Sequence, residues 1–344
     1  MFQYDAANTG HAPDGSGPTG DVTAQWTASV GSLAVESSPA VVDGMVYIGS
    51  RDGNVYAINA VDGSTEWTFE TGGWVISSPA VRDGTVYVGS RDETVYAIDA
   101  ADGNEEWATG AHVEIWGGPT VTDGTVYVTY NGTNGIRALD GADGSELWTF
   151  ETEAGVHATP AVKDGVAYVS DKDKTVYAID TTDGTEQWTF DAGSTATTPT
   201  VGDGSVYVGT IGDRVYAIDA VDGSEQWSFE TGAAVHGSPA VANDTLYACD
   251  STEDGGIVYA IDTADGGERW THETGEMINA SPAVVNNTVY VGSDKVYDLS
   301  AADGNEQWTF ETEAGYIDAA GTVTVNGTVY VADGDGTLYA VTDS

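Results

Sequence analysis

Along most of the chain, apolar and polar residues alternate in short runs, and each run ends at a turn. Residues 86–107, VYVGSRDETVYAIDAADGNEEW, show the unit: two alternating runs, a DG-centred turn and a closing Trp107. Alternation puts successive side chains on opposite faces of an extended chain, so the runs predict short β-strands. The unit recurs throughout. Its closing tryptophans, Trp26, Trp67, Trp107, Trp148, Trp188, Trp227, Trp270 and Trp308, stand 41, 40, 41, 40, 39, 43 and 38 residues apart. A fixed period in the range of about 20–50 residues marks a solenoid, a propeller or an array.

Each unit contains four strand segments. The first carries the proline, as in SSPAVVDG at 37–44, SSPAVRDG at 77–84 and ATPAVKDG at 158–165. The Asp-Gly, Asn-Asp, Asn-Asn and Asn-Gly pairs that follow suit two-residue hairpin turns, which need positive φ. Segments two and three resemble VYIGS at 46–50 and VYAIN at 55–59, and a second DG turn leads to the tryptophan strand. The ends of the chain decide the topology. The last unit stops after LYAVTDS at 338–344 without its tryptophan strand, while residues 22–28, VTAQWTA, supply one orphan tryptophan strand. Together they complete an eighth sheet and leave no open edge. The expectation is an all-β, eight-bladed β-propeller of four-stranded antiparallel blades. It forms one domain over 1–344, with 1–21 as an irregular lead-in and 22–28 as the closing strand.

Composition changes this picture only through charge. The chain has 10 Lys+Arg against 55 Asp+Glu, a formal net charge of −45. Such a surface repels nucleic acid and anionic membrane, both of which are bound through basic residues. The 10 Trp, the 18 Tyr and the regular valines argue against disorder. Self-repulsion of this size is relieved where salt screens it, and the composition resembles that of proteins from salt-in halophiles, particularly haloarchaea. The fold is therefore expected to need molar salt. Thermal stability measured at about 0.1 M and about 3 M KCl should rise steeply with salt, and equal values would contradict this. Cys249 is alone, so no disulfide forms within the chain. No apolar run approaches the ~18 residues of a membrane span, and no export signal is visible at the start, MFQYDAANTG.

The recurring pattern AI(D/N)xxDGxxxW, carried here by Ala97, Asp99, Asp102, Gly103 and Trp107, resembles the repeat of the PQQ-like (quinoprotein-type) β-propeller family. In that family the tryptophan docks one blade against the next, and the eight repeat tryptophans take that role here by resemblance. Aspartates such as Asp62, Asp102 and Asp143 precede glycine and read as turn formers. The family includes quinone-dependent dehydrogenases and non-catalytic propellers such as the outer-membrane assembly lipoprotein. The dehydrogenases are much longer, roof over a cofactor chamber and often carry adjacent cysteines, whereas this chain has nearly bare repeats and one cysteine. No GxSxG, HExxH or phosphate loop occurs.

Disagreement between repeats points to a place. Three residues before each segment-one proline stand Glu36, Ile76, Trp116, His157, Ala196, His236 and Asn279, with Ala319 in the last unit. Five before it stand Ala34, Trp74, Glu114, Gly155, Ser194, Ala234, Met277 and Ile317. The position between stays apolar in most units, as Val35, Val75, Ile115, Val156, Val235 and Ile278. Period-two alternation buries the constant residue and turns the variable ones the other way. In the resembling propellers this loop opens onto the central channel, so Glu36, Trp74, Glu114, Trp116, His157, His236 and Asn279 are the candidate ligand or partner residues. No metal site is expected, because two histidines two blades apart make too few ligands for zinc. The turn at 333–336, DGDG, faintly resembles a calcium loop but reads better as a hairpin.

The function expected is a non-catalytic, monomeric scaffold, exported or at the cell surface, holding a protein, peptide or glycan and needing no cofactor. The alternative is a dehydrogenase dependent on PQQ and calcium.

Overall fold

The positive-φ turns that the sequence predicts are where the blades are made. Asp43 and Gly44 adopt φ of 50° and 79°, and the pairs at 83–84, 123–124, 164–165, 203–204, 243–244 and 326–327 repeat this left-handed conformation. Two consecutive residues at positive φ match the right-handed twist of the strands they join. In the computed structural model, which describes residues 5–12, 16–31, 35–132, 135–252, 255–317, 321 and 323–344, blade one runs Ala40–Val42, Met45–Gly49, Asn54–Asn59 and Thr65–Glu70 in a single antiparallel meander. Blades two to seven repeat it over 80–110, 120–150, 161–191, 200–230, 240–274 and 283–311.

Blade eight joins the ends of the chain. Its strands Val323–Val325, Thr328–Ala332 and Thr337–Asp343 are completed by Val22–Ser29, which pairs antiparallel with Thr337–Asp343 from Val22↔Asp343 to Ser29↔Thr337. The chain is an eight-bladed propeller, closed as expected by a strand from its beginning. First strands of neighbouring blades touch one another and form the inner wall of the channel.

Packing explains the shared residues. The indole N–H of Trp67 donates to the Ala100 carbonyl of the next blade at 3.0 Å, and Trp107, Trp148, Trp188, Trp227 and Trp270 make the same bond to Gly141, Thr181, Ala220, Thr263 and Ala301. Trp26 reaches Ala60 of blade one. For Trp308 the acceptor is the Pro18 carbonyl of the lead-in, at 3.4 Å. Gly103 shows why the motif needs glycine: its φ is +73°, and a Cβ there would lie 2.8 Å from the Trp67 ring.

A second repeated bond fixes the turns between strands two and three. Tyr56, Tyr96, Tyr177, Tyr259 and Tyr339 donate their hydroxyls to Asp52, Asp92, Asp171, Asp250 and Asp333. Asp333 also accepts from the N–H groups of Asp335 and Thr337. The DGDG segment is thus a hairpin whose carboxylate serves its own backbone. Cys249 is fully buried, and burial beside Asp250 pushes its thiol far up.

The lead-in follows a defined path. The carbonyls of Ala6, Ala7, Thr9 and Gly10 accept from Val162, Val201, Val241 and Val284, each the central residue of the inner strand of blades four to seven. His11–Ala12 then pairs in parallel with Val284 and Val285. Fully buried Asn8 donates to the carbonyls of Thr159, Pro160 and Pro199. Inner edges that would otherwise face the channel unpaired are satisfied by this segment.

Candidate functional site

The loops before the inner strands and the turns between strands two and three meet on one face. Backbone bonds tie them: Val75 N–H to Ser50 O, Arg91 N–H to Trp74 O, Asn131 N–H to Glu114 O and Lys172 N–H to Gly155 O. The alternation read from the sequence has the expected sense, because Val35, Val75, Ile115, Val156, Val235 and Ile278 are all fully buried. Their variable neighbours converge on a cavity of about 290 Å³ at the channel mouth, lined by Ile76, Trp116, His157, Ala196, His236 and Asn279 among others. Hydroxyls form its neck and stitch blades together, with Thr159 accepting from Gly118 N–H and Ser281 from Ser238 N–H.

Trp74 and Glu36 stand on the rim instead. Glu36 is ion-paired with Arg51, and Trp74 is 41% exposed. Glu114 sits behind Trp116 and accepts its indole N–H at 3.0 Å, which fixes the ring. Ala34 and Ala319 lie outside the described residues.

The sequence reading missed the basic residues of this face. The Arg91 guanidinium lies 3.8 Å from the Trp116 ring centre and 4.8 Å from that of Trp74. The His157 ring is parallel to Trp116 at 4.1 Å and 2°. Two groups this close to one ring centre must occupy its two faces. Arg51 adds a further cation 5.2 Å from Trp74, and Lys172 lies 5.9 Å from Trp116. The result is a continuous stack, Arg51–Trp74–Arg91–Trp116–His157, across blades one to four, with each cation over an electron-rich ring face. The signal was present in the sequence: of ten basic residues, four fall in the same turn of three repeats, at Arg51, Arg91, Lys172 and Lys174.

Lys172 and Arg91 put positive charge beside His157 although the chain as a whole is acidic. Burial, then Lys172 and Arg91, pull the His157 imidazole down to about 4, so it is neutral at physiological pH. Its Nε2 is buried with no hydrogen-bond partner among the described residues. Across the mouth the rim changes sign, and Glu276, Met277, Asp294 and Tyr316 line a second hollow.

Comparison with known proteins places the chain. The family model described as outer membrane protein assembly factor BamB matches residues 18–115, 109–201, 192–294 and 254–344. The chain belongs to that family. No curated protein matches it. BamB from Moraxella catarrhalis is 18% identical, with a TM-score of 0.79 over 94% of this chain and 100% of that one. Quinohemoprotein alcohol dehydrogenase from Comamonas testosteroni is 16% identical, with a TM-score of 0.85 over 99% of this chain and 80% of that one. A computationally designed protein, Ika8, is 17% identical, with a TM-score of 0.81 over 91% of this chain and 98% of that one. At such identities the solved structures share the fold of this BamB-family propeller and carry no activity over to it.

The donor set of the mouth also bears on the quinoprotein alternative. Calcium takes six to eight oxygen ligands with carboxylates prominent, and no Asp or Glu lines the cavity. Among the described residues no three His, Cys, Asp or Glu side chains are grouped to hold a metal ion. The residues present do not fit calcium.

Proposed function

We propose that this BamB-family propeller is a non-catalytic scaffold that holds a protein or peptide partner at the channel mouth. One observation carries the reading: six of the eight variable positions three residues before the inner-strand proline line one concave opening, edged by an exposed Trp74 and the Arg91–Trp116–His157 stack. Elsewhere the repeat positions are spent on blade packing and turn closure. Aromatic anchors beside guanidinium groups are the residue types that dominate binding energy at protein interfaces. Met277 and Tyr316, both exposed on the opposite rim, widen the apolar surface available to a partner.

The family name speaks of assembly at an outer membrane, and an exported or cell-surface scaffold is the reading it favours. No helix among the described residues is long and apolar enough to cross a membrane. Screening of a −45 surface by molar salt fits the same picture of a protein adapted to brine.

The enzymatic alternative is separated by one titration. Adding PQQ with calcium ions is expected to leave no quinone absorbance on the protein after gel filtration and no dye reduction with alcohols or sugars. Stoichiometric retention of the quinone would overturn the non-catalytic reading.

A further inference from the structure

The chain has 55 carboxylates and ten basic residues, and most of its arginines are ion-paired. Arg51, Arg82, Arg137, Arg214 and Arg269 each have an acidic partner. Arg91 has none among the described residues. Its guanidinium is held between two tryptophan rings, and its buried Nε is without a hydrogen-bond partner. Lys172, beside the same Trp116 ring, donates among the described residues only to the amide oxygen of Asn131, at 2.6 Å. In so acidic a chain two neighbouring cations without an ion pair stand out: the nearby Glu114 carboxylate is taken up by the Trp116 indole N–H at 3.0 Å, and the two tryptophan rings pre-position the guanidinium.

The shape of the opening limits what can bring an anion there. The cavity of about 290 Å³ is too small for a helix or a strand pair but takes the last two or three residues of a chain, and Arg91 and Lys172 stand at its edge, beside the Trp116 ring that lines it. Beneath it the segment from Ala6 to Gly10 lies along the inner strands of blades four to seven and floors that side of the channel. A chain end that enters on that side stops against this segment. The cations select which end: a carboxylate is attracted and an α-ammonium repelled. A polyanion is disfavoured by the charge of the whole molecule, so the fitting group is a single carboxylate on an otherwise neutral chain end.

We propose that Arg91 and Lys172 form a receptor for the C-terminal carboxylate of the partner polypeptide. Charge-assisted bonds from Arg91 and Lys172 supply the discrimination. Trp74 and the exposed Met277 and Tyr316 hold the residues that precede the terminus. This rests on the mouth being the docking surface proposed above, and it names the chemistry that surface reads.

The test uses arrays of random hexapeptides attached through their N-termini, one with free carboxyl ends and one amidated, probed with the intact chain in about 1 M KCl. The expected result is binding about tenfold or more stronger to the free acids. The double variant Arg91→Gln with Lys172→Gln should reduce it to the amide level, while Lys163→Gln, another lysine without an ion pair and away from the mouth, should change nothing. The acid-to-amide ratio of the wild-type chain needs no variant to fold. Equal binding to both arrays overturns the carboxylate receptor, and if Trp74→Ala with Trp116→Ala then removes that binding, the mouth itself stands as a docking surface. Binding to neither array also overturns the receptor and leaves the mouth to be judged on full-length partners.

Discussion

Removal of residues 1–30 is expected to abolish cooperative folding. Val22–Ser29 is the outer strand of blade eight, and without it Thr337–Asp343 becomes an open edge. The same deletion takes away Trp26, which packs against Tyr330 at 6.0 Å and bonds to Ala60, so the seam between blades eight and one loses its anchor. The lead-in bonds to the inner strands of blades four to seven go with it. Near-UV circular dichroism on heating should show no sharp transition for the shortened chain, which should also elute as aggregates. The single change Trp26→Ala should cost about 3–5 kcal/mol, the usual loss for a buried large aromatic. A shortened chain that melts cooperatively near the temperature of the intact one would show that the ring does not depend on its closing strand.

Asp298→Ala is expected to stabilise the protein, and more strongly as pH rises. In seven blades the third-strand residue paired with the tryptophan is alanine: Ala57, Ala97, Ala138, Ala178, Ala217, Ala260 and Ala340. Blade seven has Asp298 opposite Trp308. It is 1% exposed, its Oδ1 has no partner among the described residues, and burial raises its carboxyl to about 7, with a hydrogen bond to Tyr290 opposing the shift. An unfolded aspartate titrates near 3.9, so between about pH 4 and pH 7 the folded state binds the proton that the unfolded state has released. Stability then falls as pH rises through that window and levels off above it. Alanine removes this slope. The gain should be larger at about pH 8 than at about pH 4, by up to about 4 kcal/mol, read from chemical denaturation at both. An unchanged pH profile in the variant would show that Asp298 is not the group responsible.

Both results bear on what the sequence made legible. Blade number, strand order and ring closure were readable because each follows from counting: eight tryptophans at one spacing, and an orphan strand at the start matched by a missing one at the end. The mouth residues were readable from their variation against a constant buried neighbour, and Trp116, His157, His236 and Asn279 do share one cavity. The stack of Arg51, Trp74, Arg91, Trp116 and His157 was not, because it joins loops of different blades whose approach depends on the radius and tilt of the ring. The path of Ala6 to Gly10 inside the channel was equally hidden, since its bonds use backbone carbonyls and leave no side-chain pattern. Asp298 could have been found by aligning the repeats, where it alone replaces alanine.

The central claim is that the mouth, and not the blade surfaces, is where this scaffold holds its partner. The most direct measurement is quantitative affinity capture from a high-salt lysate with the intact chain and with the Trp74→Ala, Trp116→Ala double variant, both confirmed folded by their melting curves. The account predicts at least one polypeptide retained by the first and lost from the second, while proteins held by the acidic outer surface appear equally with both. Recovery of the same set in the same amounts with both proteins would contradict it.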